Sequence, residues 1–232
     1  MLSGFQNASR IPELRKRLFF TLAMLAVYRL GVHVPTPGID RQALAAFFEQ
    51  YKGTIFGLFN LFSGGALEQF SVFSLGIMPY ISASIILQLL TVVFPYLERL
   101  SKEGEAGRRK ITQYTRYGTI VLAVIQGTMI SLGLAGTQGP GGQPIVLNAN
   151  VSFHIMTVIT LASGTAFIMW LGEQITERGV GNGISLIIFA GIVAGLPSAI
   201  VTTFQFIREG ELNVLLALFM LVLIVAVVGA II

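Results

Sequence analysis

Six long apolar runs, parted by short polar stretches, set the plan of the chain: residues 18–34, 73–96, 116–136, 151–172, 183–203 and 212–232. Each is close to the roughly 17 to 25 residues that cross a bilayer as a helix. Between the first and second runs the pattern breaks down. An apolar tract extends from residue 55 to residue 97, interrupted by Gly64, Gly65, Glu68 and Pro79 but by no dense polar loop. As one helix it would measure about 65 Å, twice the roughly 30 Å of a hydrocarbon core. The tract is therefore expected to hold a short re-entrant helix, a joint softened by Gly64 and Gly65, and then a full span flexed near Gly76 and Pro79. Irregular backbone at membrane depth is tolerable where it lines a water-filled cavity.

Composition fixes the class. Of 232 residues, 54% are hydrophobic and only 11% charged, well below the charge content of a soluble domain. The expected fold is all-α, a polytopic bundle of transmembrane helices. With no cysteine, a disulfide framework, a thiolate metal site and a cysteine nucleophile are all excluded. Arg15, Lys16 and Arg17 before "LFFTLAMLAVY" imitate a signal peptide, but no small-x-small cleavage site follows, so the segment is read as a retained first span.

Charge sets orientation rather than a nucleic-acid surface, because the basic residues gather at the ends of apolar runs. With a cytoplasmic N-terminus, eleven fall on one side: Arg10, Arg15, Lys16, Arg17, Arg99, Lys102, Arg108, Arg109, Lys110, Arg116 and Arg178. Three fall on the other: Arg41, Lys52 and Arg208. That asymmetry places the basic connection 98–118 in the cytoplasm as a polar loop standing out from the membrane. The uncharged "TQGPGGQPIVLNAN" suits a short outer turn. The last run reaches Ile232 without flanking charge, as expected of the front part of a longer protein.

Candidate chemistry is sparse. No acid/base pair, metal-ligand spacing or cofactor motif is present, and no catalytic residue is assigned. His33 and His154, near outer span ends, read as interfacial histidines with satisfied hydrogen bonds. Arg29 lies inside the first span near its outer end, a functional candidate by position unless its stem snorkels outward. "GVGNG" lacks the strand and Lys-Ser/Thr ending of a phosphate loop. It reads as a tight turn, with Asn182 or Gly183 starting the next helix. Gly191 and Gly195 form a G-x-x-x-G that permits close approach of a neighbouring span. Ile81, Ile85 and Gln88 share a helical face with Ser84 beside them, and Ile184 and Ile188 repeat the i, i+4 pair. Isoleucines so spaced are ordinarily core or lipid-facing.

Three stretches, "GIMPYISASIILQLL", "KEGEAGRRKITQYTRYGT" and "WLGEQITERGVGNGISLIIFAGIVAGLP", closely resemble bacterial SecY, the channel subunit family of the protein-secretion translocon. "VPTPGID" and "FSGGAL" extend the resemblance over nearly the whole chain. It implies ten spans in two inverted halves. Residues 1–203 would supply the first half, five spans and a plug helix, and residues 204–232 a connecting loop and the first span of the second half.

By the same resemblance, Ile81, Ile85, Ile184 and Ile188 belong to an apolar pore ring. Asn60, Leu61, Phe62, Ser63, Gly64, Gly65, Ala66, Leu67, Glu68, Gln69 and Phe70 match the plug. Ser84 and Gln88 lie on one wall of a lateral gate, and Arg108, Arg109 and Lys110 on a basic cytoplasmic loop. The implied function is a non-enzymatic protein-conducting channel of the bacterial inner membrane. It would pass unfolded secretory polypeptides and release apolar segments into lipid, with SecE and SecG as partner subunits and SecA or a translating ribosome as the driver. No cofactor and no DNA are implied. A small-solute transporter predicts polar coordinating groups in the broken segment, which offers mainly Ser, Gly and Ile. A passive membrane scaffold predicts that removing residues 60–70 leaves ion leakage unchanged.

Overall fold

Proline opens two of the early helices, where its missing N–H is no loss and its fixed φ suits the first turn. In the computed structural model, which describes residues 11–231 apart from 52 and 211, α1 spans Pro12–Val32. It is followed by α2, Arg41–Gln50, whose start is capped by Asp40. That carboxylate accepts from the amides of Gln42 at 2.8 Å and Ala43 at 3.2 Å, satisfying two otherwise orphaned donors. The sequence reading contained no helix here, because its apolar face is only three residues wide: Ala43, Leu44 and Phe48 are buried. Arg10, Lys52 and Ile232, used above for orientation and for the chain's end, lie outside the described residues.

The broken tract resolves into α3, Ile55–Phe62, a run of turns, and α4, Met78–Val93. The short helix therefore ends at Phe62 instead of occupying residues 60–70, and the second span begins five residues later than expected. At Phe94 the chain bends by 100° into α5, Pro95–Lys102, since proline cannot continue the hydrogen-bond ladder of the preceding turn.

After Glu103 and Gly104 comes α6, Glu105–Ala135. Most of the expected cytoplasmic loop is thus helical, and Arg108, Arg109 and Lys110 are exposed residues in the first turns of α6. Polar composition there marked solvent, not irregular backbone. Then follow α7, Val151–Arg178, α8, Gly183–Arg208, and α9, Val214–Ile231. The 137–150 connection is not merely a surface turn, because Ile145 and Val146 are buried in it.

Four helices, α6 to α9, are long and apolar enough to cross a membrane, or five if the bent pair α4 and α5 counts as one span. The helix α1 is not among them, since Arg15, Lys16, Arg17 and Arg29 all lie within it. The chain divides into two units at Ile192 and Val193. In the second unit, α9 buries no residue.

Two apolar cores organise the first unit. One joins Tyr28 and Val32 of α1 to Ile168, Leu171 and Ile175 of α7 and Ile187 of α8. The other joins Leu44 and Phe48 of α2 to Ala123 of α6, Leu161 of α7 and the loop residue Ile145. The turns after α3 reach into both: Ala66, Phe73 and Ile77 into the first, Phe70 and Leu75 into the second. Along α6 the buried residues Thr115, Thr119, Ala123, Gly127 and Ser131 recur every fourth position. Small side chains on that row let α7 approach closely, as in membrane bundles generally.

Candidate functional site

The turns after α3 begin with a glycine cap. Gly64 lies at φ +66 and Gly65 at φ +84, left-handed values that cost an L-residue with a Cβ roughly 1–2 kcal/mol. This geometry lets the Gly64 amide donate to Leu61 O at 3.1 Å and the Gly65 amide to Asn60 O at 2.9 Å. Two carbonyls left over at the helix end are thereby satisfied. The pair expected to soften a joint instead closes a hydrogen-bonded corner.

Further bonds lock it. Asn60 Nδ2 donates to Glu68 Oε2 at 3.0 Å while the Glu68 amide donates to Asn60 Oδ1, also at 3.0 Å. Ser63 Oγ donates to Asn60 O at 2.9 Å and accepts from the Leu67 amide at 3.3 Å. Beyond the corner, main-chain bonds run from Thr36 N to Phe70 O and from Val72 N to Val34 O, both 2.9 Å. An isolated antiparallel bridge, Pro35 with Ser71, thus fixes the returning limb to the chain that follows α1.

From α1, Tyr28 donates its hydroxyl proton to Ser63 O at 3.1 Å, and Arg29 Nη1 donates to Gly64 O at 2.9 Å. The Arg29 guanidinium turns inward to backbone and does not snorkel out. Tyr28 also stacks on Phe73, ring centroids 5.9 Å apart, and Phe73 stacks on Phe167 at 6.0 Å. A ladder of aromatic faces therefore runs from α1 to α7 through the turn segment.

The corner also meets α8, beside Tyr28 and Arg29. The backbone of Phe62 and Gly64 rests against Gly191, where even a methyl group would find Phe62 O at 3.3 Å. The close approach permitted by Gly191 therefore serves this corner. Ile188 precedes Gly191 by three residues, and it lines an apolar cavity of about 790 Å³ together with Ile81, Phe62, Ser63, Leu67 and Phe70.

Ile81, Ile184 and Ile188, half-buried, all pack on the first core. Ile184 additionally lies over Gly172 of α7. Ile85, one turn beyond Ile81, is 51% exposed and belongs to neither core. Gln88 is exposed and donates to the half-buried Ser84 at 3.4 Å.

The start of α8 is fixed as tightly as the corner. Asn182 Oδ1 accepts from the amides of Ile184 at 3.0 Å and Ser185 at 3.3 Å, as the turn reading of "GVGNG" requires. Gly183 donates its amide to Thr176 Oγ1 at 2.9 Å, and the hydroxyl of Thr21 on α1 accepts from the Val180 amide at 3.1 Å. Both histidines hold partners: His33 Nδ1 lies 2.9 Å from Arg29 O and His154 Nδ1 lies 3.2 Å from Ser131 Oγ.

Sequence reasoning missed one charged pair. Arg116 Nε on α6 lies 2.7 Å from Glu173 Oε1 on α7, a separation of 57 residues that no local pattern signals.

The SecY family model matches residues 71–232. The protein translocase subunit SecY of Escherichia coli (strain K12) is 57% identical over 224 residues, covering 96% of this chain and 50% of the relative. That of Buchnera aphidicola subsp. Acyrthosiphon kondoi is also 57% identical over 224 residues, 96% of this chain and 62% of the relative. That of Pseudomonas aeruginosa is 56% identical over 213 residues, 92% of this chain and 47% of the relative. The chain thus spans about half the length of the curated relatives it matches. A solved protein-conducting channel superposes with a TM-score of 0.63 at 16% identity, covering 89% of this chain and 46% of the other. Sec61 in the canine ribosome-channel complex from the endoplasmic reticulum gives the same values. At that identity the likeness speaks to the fold.

Proposed function

The chain belongs to the SecY family, and from that premise we propose that it forms one half of the wall of a protein-conducting channel. It is an all-helical, multi-pass membrane protein. The single observation that carries the proposal is the meeting of three parts: the glycine-capped corner abuts α8 three residues beyond Ile188, and both border one apolar cavity with Ile81.

In this reading the corner, within residues 60–70, is a stopper, and Ile81, Ile85, Ile184 and Ile188 contribute to the constriction it closes. Branched apolar side chains at a narrow waist offer hydrated ions no partners, so the waist resists wetting yet yields to a polypeptide. The α4 face carrying Ser84 and Gln88 serves as one wall of a lateral exit. Near the bilayer centre each Leu, Ile, Phe or Val gains about 0.3 to 0.6 kcal/mol. A ten-residue signal core therefore favours lipid by several kcal/mol. Sorting by partition needs no covalent chemistry.

The full assembly in this proposal has ten spans in the bacterial inner membrane, a cytoplasmic N-terminus, and SecE and SecG as neighbours. SecA or a translating ribosome supplies the drive, with Arg108, Arg109 and Lys110 facing that side. The test places cysteines at Ile81 and Ile184 of the full-length protein and probes crosslinking to an arrested secretory chain. Crosslinks at these sites are expected. Their absence at both, with control positions reacting, would falsify the constriction.

A further inference from the structure

Building on the stopper reading, we propose that Arg29 and Tyr28 form a latch that holds the corner in its seat, with Arg29 as the positioning residue. Two consecutive side chains of α1 grip two consecutive carbonyls, Tyr28 on Ser63 and Arg29 on Gly64. That correspondence fixes both the height and the rotation of the corner against α1.

The two ends of the turn segment are held differently. Its returning limb is bound by backbone pairs at Thr36 and Val72 and by the buried Phe70 and Phe73. Its tip is held by the side-chain donors Tyr28 and Arg29, by the contact with Gly191, and by Ala66, which is buried in the first core and accepts from the Ser71 amide at 2.9 Å and Ser74 Oγ at 3.0 Å, while its other bonds are internal. The tip is therefore the less firmly held end, and it leaves the limb by giving up the bonds of Ala66 O to Ser71 and Ser74.

The chemistry of the grip suits release. Among the described residues no carboxylate pairs with Arg29, and its acceptor is a neutral carbonyl at the C-terminal end of a helix. A cation is favoured there by the helix dipole. A guanidinium bound to a carbonyl is stronger than a neutral hydrogen bond, yet water can replace the carbonyl without separating an ion pair. Lysine keeps the charge but not the planar fork of arginine. Glu68, the nearest acid along the turn, is engaged by Asn60.

The test uses the full-length protein with its partner subunits in planar bilayers, and measures resting ion conductance with no secretory chain present. It adds thiol labelling of a cysteine at Leu67, which borders the cavity. Arg29→Gln should raise the open population about tenfold or more, as loss of one charge-assisted hydrogen bond implies. Arg29→Lys should restore a resting seal between that of Arg29→Gln and the parent. Tyr28→Phe, which keeps the stack on Phe73, should give a smaller rise.

A deletion of residues 60–70 separates the two readings. If the deletion leaks while Arg29→Gln stays sealed and unlabelled, the latch is wrong and the stopper stands. If neither leaks, the stopper itself is wrong. If Arg29→Lys leaks as much as Arg29→Gln and both lower the unfolding midpoint equally, Arg29 is merely structural and the latch is overturned.

Discussion

Gly64 and Gly191 meet backbone to backbone: a Cβ on Gly64 would stand 2.9 Å from the Cα of Gly191. The atom facing the new methyl is main chain, which cannot swing aside. Gly64→Ala therefore combines a clash with the left-handed penalty of about 1–2 kcal/mol. Gly191→Ala is expected to cost less than Gly64→Ala, since its Cβ would stand 3.3 Å from Phe62 O and 3.4 Å from Gly64 N, main-chain atoms that need give by only a few tenths of an ångström. Gly191→Val should lift the corner and cost about 1–3 kcal/mol, the usual range for overpacking. Thiol labelling at Leu67 and the unfolding midpoint in detergent check the order Gly191→Ala, then Gly191→Val and Gly64→Ala.

Gly183 tests the seat of α8. A Cβ there would run into the Gly172 carbonyl oxygen and lie 2.8 Å from Ile175 Cβ. Even alanine must push α8 away from α7. The expected loss is at least about 1–3 kcal/mol, read as a fall in the unfolding midpoint. On the channel reading proposed above, crosslinking from Ile184 to an arrested secretory chain should fall with it, because the displaced helix start carries that residue. An unchanged midpoint contradicts the close approach.

Arg116 and Glu173 should be energetically coupled. Glu173 is only 16% exposed while Arg116 is 45% exposed, so the pair sits between a surface bridge and a buried one. A double-mutant cycle with Arg116→Gln and Glu173→Gln is expected to give about 1 kcal/mol of coupling, near the upper end for exposed pairs. The coupling should survive moderate salt. A value indistinguishable from zero removes the pair from the α6 and α7 contact.

The isoleucines should separate by environment. Ile168 is fully buried, and Ile168→Ala should destabilise by about 2–5 kcal/mol. Ile85 is half exposed, so Ile85→Ala should fall within about 0.5 kcal/mol of the parent, as surface changes do. Denaturant titration of both variants checks the contrast. If Ile85→Ala raises resting conductance without that loss of stability, its role lies in sealing alone.

Much of this was legible in the residues. The apolar runs marked α6 to α9, the over-long tract marked a break, and "GVGNG" marked a turn whose Asn182 caps α8. What the sequence hid lay partly in local backbone geometry and partly in contacts between residues far apart along the chain. Gly64 and Gly65 look like a flexible joint until Asn60 O and Leu61 O are seen accepting their amides. Arg29 looks like a snorkelling end residue until Gly64, 35 residues away, supplies a carbonyl. The basic 98–118 stretch looked like a loop because polarity reports contact with water, which a helix protruding from a membrane shares. The helix α2 was missed because a ten-residue amphipathic segment has too narrow an apolar face to stand out among transmembrane runs.

The corner's internal bonds also decide how much water it would meet if it left its seat as proposed. Among the described bonds, leaving α1 strips Gly64 O of its partner, whereas Ser63 O keeps the Ala66 amide at 3.4 Å. The Asn60 and Glu68 pair and the glycine cap travel intact. On the latch proposal the segment would therefore change place as a prefolded cassette, rehydrating the carbonyls of Gly64 and of Ala66, which gives up Ser71 and Ser74 of the limb, instead of melting. Such a part can return to its seat without having to refold.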